Sequence, residues 1–327
     1  MQTNSAATWI PRAAERRARA FDAACAHART HLEDAQQCDL VLSILRAAAE
    51  RAAAPEAPAL FPLTVHVPLA VHAAFEGRDE PALPIAAAGL LVLLGADLLD
   101  TLIDDDPFSG PLTPAERLLA GAGLVGPLPT LLLLSMDVPP DIAREAARNL
   151  NDAVVTMGAG QLADLRSPAA PYTSLPGVVE TAVFKSSPLV AALCRIAARL
   201  AGGTPEQAAA AGRLGAALGL ADQLRGDWAD LGRLDGSNDL RTGAVTIPVA
   251  LAYERQSLHG DAARHADGAA RDRAWSMLDR DSRAALVNAL HFCHQAASAA
   301  IDDLRLPEAW SADLSLLANA VCYEGGE

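Results

Sequence analysis

An all-α fold is what this sequence predicts, and three observations carry that reading. Apolar residues recur at helical spacing along the chain, with no sustained alternation of the strand type. Hydrophobic residues make up 51 % of the sequence but aromatic ones only 4 %. The apolar content is therefore mostly Ala, Leu and Val, of which Ala and Leu are the strongest helix formers. Breaks fall at Pro55–Pro58, Gly77–Pro84, Pro107–Pro114, Asp137–Asp141, Ser167–Pro176, Gly202–Pro205 and Gly232–Asp239. The segments between them run to roughly 20–30 residues, long enough for core helices.

Two of those breaks carry helix starts in their residues. Thr113-Pro114-Ala-Glu116 and Thr204-Pro205-Glu206 each place a capping hydroxyl before a proline at the first helical position. No linker rich in Ser, Gly or charge divides the 327 residues, and no solenoid-period repeat is present. One domain of about ten helices is expected over 1–327, with loose ends before about residue 8 and after about 323. Ile85–Leu99 and Leu124–Met136 are the most apolar runs. Both are short for a membrane span; the first leads into acids and the second contains Pro127 and Pro129, so buried helices are expected instead.

A net charge of −14 argues against a nucleic-acid surface. Any anionic substrate must be drawn in by local cations. Five widely spread cysteines with no CxxC pair form neither a disulfide framework nor a zinc site. A cytoplasmic protein is the expectation, since Met1–Arg19 has no apolar stretch of the signal-peptide kind.

Two acid clusters stand out from the apolar background. The first is Gly95-Ala96-Asp97-Leu-Leu-Asp100-Thr101-Leu-Ile-Asp104-Asp105-Asp106, in which Asp97, Asp100 and Asp104 share a helix face. The second is Asp222-Gln223-Leu-Arg225-Gly226-Asp227-Trp228-Ala-Asp230, in which Gln223, Asp227 and Asp230 do the same. Carboxylates stacked in apolar surroundings repel one another unless a cation neutralises them. A hard divalent ion such as Mg2+ suits all-oxygen ligands. Lys185 stands out by number: it is the only lysine among 26 basic residues. In a chain so biased to Arg, a surviving Lys points to a site that needs a compact ammonium.

In order, these elements resemble the trans-isoprenyl diphosphate synthase (polyprenyl synthetase) family, the all-α enzymes that ionise allylic diphosphates. Asp100-Thr-Leu-Ile-Asp104 looks like its first aspartate-rich motif, and Gly160-Gln161-Leu-Ala-Asp164 like its GQ…D element. Lys185-Ser186 matches its KT lysine, and Gln223-Leu-Arg-Gly-Asp227-Trp-Ala-Asp230 its second aspartate motif. Asp239-Leu-Arg-Thr-Gly243-Ala-Val-Thr246-Ile-Pro248 is similar to its late T-L-P stretch.

The resemblance implies an isoprenoid (terpenoid) synthase-like bundle around a central cavity, a homodimer and a prenyl diphosphate substrate. It also implies two or three Mg2+ ions. Asp100 and Asp104 would hold two, with Asp105 able to add oxygen, and Asp227 and Asp230 would serve a third. Lys185 and Gln223 would touch the diphosphate, with Gln161 beside them. Small residues at Gly95 and Ala96 imply room for a longer chain, C15 or above.

The departures from the pattern shape the functional expectation. The second aspartate of the first motif is Thr101, and the first of the second motif is Gly226. The family's RRG is replaced by Pro107-Phe108-Ser109-Gly110, its GGKR by Ala59-Leu-Phe61-Pro62, and its late lysine by Ala244. Those cations would hold the second diphosphate, which carries a charge near −3 and binds weakly without charge-assisted partners. The expectation is therefore a class I terpene synthase that ionises one allylic substrate, then cyclises, deprotonates or hydrates its cation. Two alternatives stand: a chain-elongating prenyltransferase with substitute cations, and a catalytically silent subunit of an active synthase.

Plainer readings stay open for several residues. The plainer alternative for the first acid cluster is an exposed helix end, and for the second a solvated face, each behind the metal-holding reading. His291 and His294 read as structural rather than metal-binding. His66 and His72 read as core or rim residues, and Trp228 as packing. Arg195, Arg199 and Arg225 read as surface or interface charges.

Overall fold

The computed structural model describes residues 12–54, 62–103, 112–166, 174–231, 246–248, 250 and 280–323. Among them it has no strand. The helices are α1 (Ala13–His31), α2 (Ala35–Ala52), α3 (Leu63–Glu76), α4 (Leu83–Ile103), α5 (Pro114–Val125), α6 (Pro127–Leu134) and α7 (Pro140–Arg166). Then come α8 (Leu175–Leu200), α9 (Pro205–Leu231), α10 (Arg280–Leu304) and α11 (Glu308–Tyr323).

The capping residues act as their sequence suggests. Thr113 accepts from the Glu116 N–H while the Glu116 carboxylate accepts from the Thr113 N–H at 2.7 Å, starting α5. Thr204 makes the same exchange with Gln207 at the head of α9. Each cap satisfies backbone donors that the first turn leaves orphaned.

α3 and α4 form the apolar centre. α4 is enclosed by α1, α3, α5, α6 and α8, and α3 by α1, α4, α8, α9 and α11. The stretches 80–103, 114–134 and 175–200 are long and apolar enough to cross a membrane by length and composition. In this bundle their apolar faces pack on neighbouring helices. His66 and His72 on α3 are both buried, and His72 Nδ1 lies 2.9 Å from the Arg78 carbonyl oxygen.

Around this centre α7, α8 and α9 pack side by side, each antiparallel to the next. Contacts tie Glu145 to Arg199 and Asp164 to Lys185 across the first pair. Glycines bring α8 and α9 together. A Cβ on Gly215 would lie 2.5 Å from the Val190 carbonyl oxygen, and one on Gly219 would lie 2.8 Å from that of Ser186. Ser187 then donates from Oγ to the Ala216 carbonyl at 3.0 Å. These contacts hold Lys185 about one helical turn from Gln223.

Arg195 and Arg199 are not the surface charges expected. Both are half-buried; Arg199 reaches Glu145 at 3.2 Å and the Gly203 carbonyl at 2.7 Å, and the Arg195 stem packs on Gly212. Small residues facing these stems let them lie flat and bury their methylenes. Arg225 points away from the acid face, donating to the Val321 carbonyl at 2.7 Å and so tying α9 to α11. Two residues further along α11, Tyr323 Oη lies 2.9 Å from His291 Nδ1, a structural tether between α10 and α11.

Candidate active site

The C-terminal turns of α4, α7 and α9 and the first half of α8 converge at one end of the bundle. Polar contacts there link α4 to α7 and α7 to α8, and the Lys185 charge bears on Asp227 of α9. On α4 the Asp100 carboxylate accepts from Gln161 Nε2 of α7 at 2.6 Å. One turn along α7, Asp164 accepts from Lys185 Nζ of α8 at 2.5 Å. On α9 the buried Asp227 carboxylate accepts from Gln223 Nε2 at 2.6 Å.

Lys185 is positioned by close backbone packing. A Cβ on Gly160 would lie 2.7 Å from the Lys185 nitrogen and 2.7 Å from the Phe184 carbonyl carbon. Only glycine lets α7 and α8 approach this closely, and the residue after it is Gln161. Pro188 lies inside α8, where it removes the hydrogen bond to the Phe184 carbonyl and loosens the helix beside the lysine.

The electrostatics are those of a site short of positive charge. Burial pushes the Asp227 carboxyl up to about 6, against the pull of the Gln223 hydrogen bond, the Lys185 charge and the Ile247 backbone. Asp164 adds to the upward push. The Ile247 contact brings Thr246–Pro248 to the second acid face. On α4, burial and then the charge of Asp100 raise Asp97 to about 6, with Arg51 opposing. Protein surrounds Asp97 closely although its side chain reaches solvent, as on the wall of a concave surface. Its solvent access screens the charge, so Asp227 is the more telling of the two.

Of the predicted site residues, Asp100, Gln161, Lys185, Gln223 and Asp227 come together here. Asp104 and Asp105 lie outside the described residues, as do the stretches 104–111 and 232–245 and the side chain of Asp230. Among the described residues no three acidic, His or Cys side chains group tightly enough to hold a metal ion. The donors that are present, Asp100 and Asp227, offer oxygen alone. Asp227 is buried and only partly neutralised by Lys185, and such oxygen donors suit a hard cation.

Asp164, paired with Lys185, is the residue of this polar group missing from the sequence-predicted set. Its place in the GQ…D spacing, three residues after Gln161, was the available sign. At Gly95 a Cβ would lie 2.7 Å from Val125 and 2.8 Å from the Leu124 Cβ, so its missing side chain serves the α4–α5 contact. Ala96 is half-buried. Gly226 meets nothing within 4 Å, so a longer side chain there would enter open space.

Comparison with known proteins matches residues 130–272 to the polyprenyl synthetase family model. That segment, 130–272, is similar in sequence to the polyprenyl synthetase family. The matched segment holds Gln161, Asp164, Lys185, Gln223 and Asp227, while Asp100 lies upstream of it. No curated protein matches the chain.

The fold likeness extends over nearly the whole chain. A geranylgeranyl pyrophosphate synthetase from the archaeon Geoglobus acetivorans superposes with a TM-score of 0.77 at 18 % identity, covering 94 % of this chain and 98 % of that one. A polyprenyl synthase from Caulobacter crescentus, in complex with calcium and isoprenyl diphosphate, gives 0.76 at 21 % identity, covering 98 % of each chain. A decaprenyl diphosphate synthase from Rhodobacter capsulatus gives 0.75 at 19 % identity, covering 97 % of this chain and 100 % of that one. The chain thus has the all-α isoprenoid synthase fold.

Proposed function

We propose that the chain is a metal-dependent trans-prenyltransferase that ionises an allylic diphosphate and joins the resulting cation to a second prenyl diphosphate. The observation that carries this reading is that the Asp100–Gln161 and Asp164–Lys185 contacts join α4, α7 and α8, with the Lys185 charge acting on the buried Asp227 of α9. Asp100 and Asp227 would hold Mg2+, with Asp104, Asp105 and Asp230 added by family resemblance. Bound there, the metal would draw off the negative charge that grows on the leaving diphosphate. Lys185 would release Asp164 to meet the same diphosphate, and Gln161 and Gln223 would keep the two carboxylates aimed inward.

The chain-building reaction leads because the matched family and the structurally similar proteins carry the names of synthases. The single-substrate terpene-synthase reaction, which the sequence reading placed first, is the second reading. It is favoured by the absent cations at Ala59–Phe61, Pro107–Gly110 and Ala244. The assay that separates them incubates the protein and Mg2+ with geranyl, farnesyl or geranylgeranyl diphosphate, with and without isopentenyl diphosphate. Longer diphosphates formed only with isopentenyl diphosphate are expected. Hydrocarbons or alcohols from one substrate would favour the second reading, and a folded protein with no turnover would leave the silent subunit.

The same reading includes a cytoplasmic homodimer. Leu118 and Leu119 on α5, Leu131 and Leu134 on α6, and Val155, Leu162 and Leu165 on α7 are all at least 40 % exposed. Leu131 and Leu134 on α6 and Val155, Leu162 and Leu165 on α7 follow helical spacing, giving two apolar stripes with Leu118 and Leu119 on the neighbouring α5, more than scattered surface residues would supply. Sedimentation of Leu119→Glu should show a monomer where the parent is a dimer. A parent that sediments as a monomer would remove this part of the proposal.

A further inference from the structure

The position that departs most plainly from the family's first motif is Thr101, and its surroundings give it a definite role. Thr101 does not share the direction of Asp100. Its hydroxyl donates to the Leu98 carbonyl at 2.9 Å and accepts from Arg117 of α5, whose Nη1 lies 3.2 Å away. The same nitrogen lies 3.5 Å from the Thr101 carbonyl oxygen, a longer and weaker contact. Arg117 is 8 % exposed, so its charge is set deep between α4 and α5.

That placement is electrostatically favourable for α4. The last carbonyls of a helix lack intrahelical partners and carry the negative end of its dipole. A guanidinium at Thr101 neutralises both, in the turn that carries Asp100. Gly121, one turn further along α5, keeps the two helices in contact. A Cβ there would lie 2.8 Å from Leu99 and 3.2 Å from the Gly95 carbonyl oxygen. α5 is therefore firmly seated, and its arginine cannot swing away from α4 without breaking that seam.

We infer that Arg117 is a resident cation that closes the Thr101 side of the first acid face. Metal binding there uses Asp100 and the acids after it, and position 101 is no coordination position. The inference rests on the metal-binding reading of the site, but it makes a separate statement about α4 and α5 that metal-free protein can test. A carboxylate introduced at 101 would pair with Arg117 before it met any metal. Restoring the family's aspartate would thus add an internal ion pair and leave the metal site unchanged. Arg117 is a positioning residue, since nothing places it against substrate.

The test uses the full chain, with Mn2+ as a paramagnetic probe of the metal site. Thr101→Asp, Arg117→Gln and the double variant are compared by electron paramagnetic resonance titration of Mn2+ and by metal-free thermal unfolding. Thr101→Asp should leave Mn2+ affinity within about two-fold and raise the metal-free Tm by about 2–4 °C. In the double variant that rise should be lost, because the carboxylate has no partner. If Thr101→Asp tightens Mn2+ ten-fold or more, or raises Tm equally with and without Arg117, the inference is overturned. Should Arg117→Gln not fold, Arg117→Met keeps an apolar stem in the α4–α5 seam and removes the charge, and the cycle is run with it instead. A parent protein that binds no Mn2+ defeats the metal reading, while the thermal cycle still decides the Arg117–Thr101 pairing.

Discussion

Asp227→Asn is expected to lower turnover about 100–1,000-fold while making the metal-free protein more stable above neutral pH. The two effects share one cause. Asp227 is buried with only partial compensation, so its carboxyl is raised from 3.8 to about 6. A carboxyl whose folded pKa lies above its unfolded value holds its proton more tightly in the fold. Below about 4 both states are protonated and the site costs nothing. Between there and about 6 stability falls as pH rises, and above about 6 the full penalty applies. A shift of that size corresponds to on the order of 2–3 kcal/mol. Asparagine keeps the acceptor for Gln223 and removes the charge. Its metal-free Tm should therefore exceed the parent's by about 3–6 °C at pH 8 and match it near pH 4. Mg2+ with inorganic diphosphate should stabilise the parent by binding the native state and do so much less for the variant. Equal Tm values for the two proteins at every pH, or undiminished turnover, would sink the assignment of Asp227 to the site.

Much of this arrangement was legible in the sequence, for reasons that also explain the gaps. Helix boundaries marked by Pro and Gly fall at the breaks at 53–62, 104–113, 167–174 and 201–204. The boundary between α1 and α2 has no such mark. It is made by Asp34, whose side chain accepts from the Gln37 N–H at 2.7 Å, and a single capping aspartate in an acid-rich chain is easily passed over. The prolines at 127 and 129, read as interruptions within one run, begin a separate helix after Gly126. Five site residues come together because each lies on a helix face set by periodicity, which local sequence reports well.

What local sequence does not report is the partner of each face. Gly95 and Gly160 are both small residues beside chemistry-bearing positions, yet both serve helix contacts, with α5 and with α8. Likewise Arg117 lies in a charged stretch typical of a solvated helix start. Only the packing of α5 on α4 reveals it as a buried charge next to Thr101. Asp164 was visible as part of a spacing, but its role depends on Lys185, 21 residues away.

Lys185→Ala is expected to lower turnover about 100–1,000-fold as well, by a route that a second variant separates from simple destabilisation. The ammonium has two duties in the free protein. It pairs with Asp164 at 2.5 Å, each side chain about a quarter exposed, and its charge opposes the rise in the Asp227 pKa. Removing it leaves two carboxylates facing each other with no cation, which should cost about 1–2 kcal/mol at pH 8. That loss should shrink below about pH 6, where Asp227 takes up its proton and the repulsion falls away. Lys185→Ala combined with Asp164→Asn removes both members of the pair, so the double variant should regain most of the stability at pH 8. Turnover should not return with it, because no compact cation then remains to meet the leaving diphosphate. Lys185→Arg should also fail to restore turnover. Its planar guanidinium spreads the charge and does not reproduce the compact ammonium that pairs with Asp164. Recovery of activity in the double variant would assign the lysine a purely structural part and break the link between the two acid faces.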